Sequence, residues 1–180
     1  MKAGAGNAEI RFPEELFPLE GFRGVHDLPK ASVLIIEEAQ KIAIVSIEIV
    51  MLWDDFLEKC REAVAEITDT PKQNVWIHVT HAITTPHAPG GPRVGLGGQV
   101  IEGKEKEDAS LVLHKRSLYE QTIMQALQEA AKKAAQLTCA KMHVGSGECN
   151  LIEGRDIETP RGWWIGTKGF GESNETMTIL

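Results

Sequence analysis

The sequence predicts an α/β fold: a mixed central sheet with two main helices packed on it, completed by a second chain or a C-terminal half. Three observations carry this. Two segments space their apolar residues as helices do. Dense β-branched runs alternate with them. One of these runs, a helix and a third run follow each other as a strand–helix–strand crossover.

Ala31–Ile36 and Ile42–Val50 read as two strands joined across the short polar gap Glu37–Lys41, which suits a hairpin. Runs this apolar suit strands covered on both faces. From Asp54 onward, Phe56, Cys60, Ala63, Val64 and Ile67 form one helical stripe. Asp54 and Asp55 can cap and complement its N-terminal end, and Pro71 follows its finish. Val75–Val79 is the next strand. A longer helix is expected from about Arg116 to Leu137, with Tyr119, Ile123, Ala126, Leu127, Ala130, Ala134 and Leu137 on its buried side. Its alanines raise helix propensity and permit close approach to a sheet. Met142–Val144 is a further strand, and Glu9–Phe12 and Glu175–Leu180 are weaker ones at the two ends.

Length and composition bound the rest. The chain has 180 residues, 42% hydrophobic and 25% charged, which is enough for one domain that buries roughly 70% of its unfolded surface. The reading is a single α/β domain over 1–180, with no linker or repeat to divide it. Ordinary apolar content and a net charge of −7 exclude general disorder. The excess of acids, 26 against 19 bases, argues against nucleic acid as a partner. No apolar run reaches the length of a membrane span, and the first residues lack the apolar core of a secretory signal. Cys60, Cys139 and Cys149 cannot all pair and lack metal-ligand spacing. A reduced cytoplasmic protein is the expectation.

Three glycine- and proline-rich stretches, Phe17–Pro29, Thr84–Gly98 and Gly145–Gly171, read as long loops, and such loops often carry function. The strand-like alternation of the last residues runs up to Leu180. It fits either a docked edge strand or a chain continued by a separate polypeptide, through cleavage or as a second subunit.

Chemistry concentrates in Trp76–Pro92, where His78, His81 and His87 fall within ten positions. They lie where a strand gives way to a loop, and sites in open α/β sheets form outside the carboxyl ends of strands. Neutral imidazole binds zinc, and it also transfers protons near neutrality. Residues alternate across a strand, so His78 and His81 face opposite ways unless the strand has ended. His78 is read as a structural strand residue, and His81 with His87 as the candidate pair. A histidine at a strand end is equally the mark of an ordinary hydrogen-bonded residue.

The order of these motifs resembles the N-terminal part of the neutral (non-lysosomal) ceramidase family and its bacterial relatives. Gly21–Asp27 followed by Lys30–Leu34 is similar to that family's early glycine–histidine loop and first long strand. Ile44–Ile49 is similar to the next strand, with Glu48 where the family usually has aspartate. Val79-Thr80-His81 through His87-Ala88-Pro89-Gly90-Gly91 resembles its Thr-His-Thr-His-Ser-Gly-Pro signature. Gly145–Asn150, Arg155-Asp156 and Glu175–Leu180 resemble its asparagine–arginine segment and the strand after it. The resemblance implies that His81 ligates a catalytic zinc, that His87 lies beside the scissile amide, and that Arg155 orients a carbonyl or carboxylate. The planar guanidinium fork suits such a contact, and a loop salt bridge to Asp156 or Glu153 is its alternative. The two histidines are six positions apart instead of two, and the family's other zinc ligands come from sequence beyond Leu180. A zinc site needs about three protein ligands, so another polypeptide must complete it, or the metal has been lost.

His26 with Asp27 reads as a supporting pair for a ligand or as a loop-stabilising bond. Glu48 on an apolar strand must be paired unless it faces water. Trp163 and Trp164 fit an aromatic wall, the core or a subunit contact. Gly95–Gly98 lacks the strand and helix of a phosphate loop. Cys149 has no neighbouring base. The expectation is thus a metal-dependent hydrolase of an amide or related acyl bond in a small molecule, working with a second polypeptide chain as an oligomer. The alternatives are a self-processed amidohydrolase whose nucleophile is a partner's new N-terminus, and a non-catalytic subunit.

Overall fold

The structure is a computed structural model that describes residues 1–90, 108–151, 154–166 and 173–179. The chain packs into two compact units, Met1–Ala140 and Lys141–Leu180.

The first unit is an α/β domain of the expected kind. Its strands are β1 (Lys2–Glu9), β2 (Lys30–Glu37), β3 (Lys41–Ile47), β4 (Val75–Val79) and β5 (Thr138–Cys139), and its helices are α1 (Asp54–Thr68) and α2 (Ala109–Ala134). The five strands lie in the order β4-β3-β2-β1-β5. β2 and β3 form the expected antiparallel hairpin, with Val33 opposite Val45. β3 and β4 are parallel, with Ala43 beside Val75 and Ile47 beside Val79. They are joined through α1, which completes the anticipated crossover.

Both helices lie on one face of the sheet. Ala8, Ala31, Val33, Ile35, Ala43, Val45, Ile47 and Val75 are buried there, against Phe56, Cys60 and Val64 of α1 and Tyr119, Ile123, Leu127 and Ala130 of α2. The opposite face carries Ala5, Leu34, Ile44 and Trp76 in one cross-strand row. Leu34 and Ile44 are half-buried there and Trp76 is exposed. The β-branched density of β2 and β3 reads as two-sided cover, but among the described residues helices cover one side.

β1 escapes a sequence reading, because Lys2-Ala3-Gly4-Ala5-Gly6-Asn7-Ala8-Glu9 lacks the branched residues that mark strands. Its glycines face α2 instead. A Cβ on Gly4 would lie 2.0 Å from the Ala134 carbonyl oxygen, and one on Gly6 would lie 2.3 Å from that of Ala130. The small residues of α2 and β1 thus let helix and sheet meet backbone to backbone. The expected strand Glu9–Phe12 contributes Glu9 alone; Ile10 and Phe12 are buried outside any strand.

α2 starts seven residues before the expected Arg116, since the Asp108 side chain accepts the Ser110 N–H and caps it. It ends at Ala134, leaving Leu137 beyond it. α1 follows Trp53, with no side-chain cap, so Asp54 and Asp55 lie in its first turn and complement its dipole only. Its end is set by Asp69 in the left-handed region (φ 49°), ahead of Pro71.

In the second unit, β6 (Gly145–Glu148) pairs with β9 (Thr176–Ile179), and β7 (Asp156–Thr159) pairs with β8 (Gly162–Ile165). The strand expected at Met142–Val144 therefore begins three residues later, at Gly145. The described residues of the stretch expected as a loop, Gly145–Gly171, form three short strands. Gly162, at φ 103°, makes the tight β7–β8 turn that glycine permits. The strand expected near the end is present as β9. No helix among the described residues is long and apolar enough to cross a membrane.

Candidate functional site

The parallel pair β3–β4 opens at its carboxyl end onto a cavity of about 670 Å³. Phe12, Phe17, Phe22 and Leu28 supply its apolar lining. Glu48, Thr80 and Thr84 supply polar groups, together with His26 and Asp27. One wall is thus the glycine-rich stretch Phe17–Pro29, and the other is the segment that leaves β4. An apolar recess with a few polar groups at a strand's carboxyl end is where small molecules bind in α/β proteins.

Pairing between the two strands continues past their formal ends and shapes this rim. The Thr80 N–H donates to the Ile47 carbonyl at 3.0 Å, and the Ala82 N–H to that of Ile49 at 3.2 Å. Between them His81 adopts φ 56°, a left-handed conformation that few residues other than glycine take up. β4 has ended at Val79, so the alternation of a strand no longer governs His81, whereas His78 stays within β4 and is exposed. The His81 Nδ1 lies 2.8 Å from the Val50 carbonyl oxygen. A carbonyl only accepts, so Nδ1 carries the proton and Nε2 is the ring's lone-pair nitrogen when neutral.

Beyond His81 the chain turns at Ala82–Thr85, where the Thr85 N–H and hydroxyl both donate to the Ala82 carbonyl. Pro86 is buried, and its carbonyl accepts the Tyr119 hydroxyl at 3.0 Å. Tyr119 is itself buried and stacked on Phe12, with centroids 5.0 Å apart. Burial, and secondly the charge of Glu20, hold its hydroxyl well above the usual tyrosine range.

His87 is held by Glu20. Its backbone N–H donates to Glu20 Oε2 at 2.8 Å, and its ring Nδ1 lies 2.9 Å from the same oxygen. A carboxylate accepts only, so Nδ1–H is again the donor. His81 and His87 therefore bracket the wall segment Ala82–Pro86, each anchored through Nδ1. They have separate partners, a carbonyl for one and a carboxylate for the other.

Glu48 sits just past β3 and is exposed; its Oε2 accepts the Lys30 N–H at 2.9 Å, so this carboxylate is hydrogen-bonded beside water. The His26 Nδ1 and Asp27 Oδ2 are 3.2 Å apart on neighbouring, fully exposed side chains at the cavity mouth. Arg155 belongs to the second unit and is exposed; its carbonyl accepts the Gly166 N–H. Trp163 and Trp164 on β8 are 70% and 60% exposed, so neither belongs to a core. Cys149 is a free, half-buried thiol. Gly95–Gly98 lies outside the described residues. Among the described residues, no three His, Cys, Asp or Glu side chains converge to hold a metal ion.

Sequence reasoning missed Glu20, Tyr119 and the phenylalanine lining. Glu20 sits in the two-residue turn Leu19-Glu20-Gly21-Phe22 and meets a partner 67 positions away, so no local pattern marks it. No protein-family model matches the chain, and no curated protein matches it.

Proposed function

We propose that Met1–Ala140 carries a hydrolytic site for an amide or related acyl bond of a small molecule. The observation that supports this is the wall segment Ala82–Pro86, which lines an apolar cavity at the carboxyl end of β3–β4 and is bracketed by two histidines with their Nδ1 atoms held. In this reading His87 Nε2 takes a proton from water as its oxygen attacks the acyl carbon. The proton then passes to the leaving nitrogen as the carbon–nitrogen bond breaks. The phenylalanine lining holds the apolar part of the substrate and excludes water around it.

Zinc enters as a resident ion that His81 would help to hold. Three protein ligands are the usual minimum, and the described residues do not assemble them. The proposal therefore includes a second polypeptide that supplies the rest.

The test uses the protein purified from its source with whatever polypeptide accompanies it, assayed on a panel of N-acyl amides and acyl esters. Turnover is expected in the wild type, with at least a hundredfold loss in His87→Ala. It is also expected to fall on treatment with a chelator and in His81→Ala. No turnover by the wild type, or full turnover by both variants, overturns the reading. Turnover indifferent to chelator removes zinc from it.

A further inference from the structure

We infer that Glu20 is the positioning residue for His87. It fixes which ring nitrogen carries the proton and holds the imidazole that directly follows the cavity-wall segment Ala82–Pro86. This rests on the hydrolytic role given to His87 and adds to it a residue from a distant loop.

The sequence separates the two by 67 positions, and the fold brings them together through several independent anchors. Glu20 and Gly21 both have positive φ, 51° and 88°, the conformation that matches a two-residue hairpin turn. The turn is closed by Leu19 and Phe22, whose N–H groups donate to each other's carbonyls at 3.1 and 2.9 Å. Behind it, the Lys115 ammonium of α2 donates to the Pro18 carbonyl at 2.7 Å. On the other side, Tyr119, one helical turn further along α2, holds Pro86, the residue before His87. The carboxylate and the imidazole are thus each tied to the same helix.

The contact itself is double. One oxygen, Oε2, accepts both the backbone N–H and the ring Nδ1–H of His87. A backbone bond alone would leave the ring free to rotate, and a ring bond alone would leave the loop free. Together they define the loop position and the ring plane. The Glu20 side chain is 20% exposed and that of His87 49%, so the carboxylate is the more sheltered partner and the ring the one that meets solvent. With Nδ1–H held by an acceptor, the lone pair belongs to Nε2, and a charged imidazolium formed during reaction gains a carboxylate partner at once. Carboxylate–histidine pairs orient functional imidazoles in this way.

The experiment records ring-nitrogen NMR of His87 in the full chain, assigned by its loss in His87→Ala. The wild-type neutral ring is expected in the Nδ1–H form. Glu20→Ala should shift it toward the Nε2–H form. Alanine also carries a Cβ, so the turn keeps its wild-type backbone demand. Glu20→Gln, whose amide oxygen can still accept, should retain the wild-type form at least in part, and it serves where Glu20→Ala does not fold. A ring spectrum identical in the wild type and Glu20→Ala, or, if Glu20→Ala is unfolded, a Glu20→Gln spectrum wholly in the Nε2–H form, overturns the inference. Turnover then separates the two claims. Hydrolysis that persists in Glu20→Ala with an unchanged ring spectrum removes Glu20 and leaves His87 standing. A ring that changes as expected in a protein without hydrolysis upholds Glu20 and removes the hydrolytic reading.

Discussion

The Tyr119 hydroxyl donates to the carbonyl oxygen of Pro86 across 3.0 Å, so a buried phenol on α2 holds the residue that precedes His87. Tyr119→Phe keeps the stack on Phe12 and deletes the bond, leaving the Pro86 carbonyl without its donor. A loss of about 1–3 kcal/mol is expected from urea unfolding. Turnover should fall with it, since the His87 loop loses one of its anchors. Unchanged stability would show that the carbonyl finds another donor.

Alkaline pH should weaken the fold through Cys60. Burial first, and then the charge of Glu120, push its thiol up to about 12, whereas an unfolded cysteine ionises near about 8.5. The folded chain keeps this proton longer than the unfolded one. The associated stability is complete below the unfolded value and declines as pH rises toward the folded one. Tyr119, also raised in the folded chain, acts in the same direction from about pH 10. The urea midpoint should fall between about pH 8 and pH 11, and Cys60→Ala should flatten the first part of that decline. An equally steep fall in Cys60→Ala would clear the thiol.

The contact of β1 with α2 should tolerate no added carbon. Gly6→Ala places a Cβ 2.3 Å from the Ala130 carbonyl oxygen and 2.6 Å from the Lys133 Cβ, so the helix must lift from the sheet. A loss of about 3 kcal/mol or more is expected. Ala5→Ser, on the exposed side of the same strand, should change stability by no more than about 0.5 kcal/mol. Chemical denaturation of the pair reads the difference.

Phe22 tests the cavity. Removing its ring by Phe22→Ala should raise KM roughly tenfold or more for an apolar amide substrate while kcat changes little, because such contacts hold substrate and transition state alike. A fall in kcat at constant KM would place Phe22 next to the reacting atoms instead.

The legible parts of this fold were those with a strong local pattern. The β2–β3 hairpin, the β3–α1–β4 crossover and the buried side of α2 from Tyr119 to Ala134 all follow from residue spacing. β1 was illegible because its alternation is written in glycine and alanine, residues chosen for proximity to α2 rather than for strand propensity. The β7–β8 hairpin was masked by the glycine and proline content of its surroundings. Histidine clustering drew attention to His81 and His87, which follow the carboxyl end of β4 and flank the cavity-wall segment Ala82–Pro86. Glu20 and Tyr119 could not be read out, because what makes each significant is a hydrogen bond to a partner at least 33 positions away.

Residue 81 joins two demands that chemistry allows to be taken apart. Its dihedral of 56° is awkward for any L-amino acid, by on the order of 1 kcal/mol, and an imidazole nonetheless stands there. Glycine substituted at this point would relax the main chain while deleting the heterocycle, whereas alanine would delete the heterocycle and keep the awkwardness. A glycine variant that is sturdier than wild type yet inert would identify this corner of the molecule as a place where durability has yielded to reactivity.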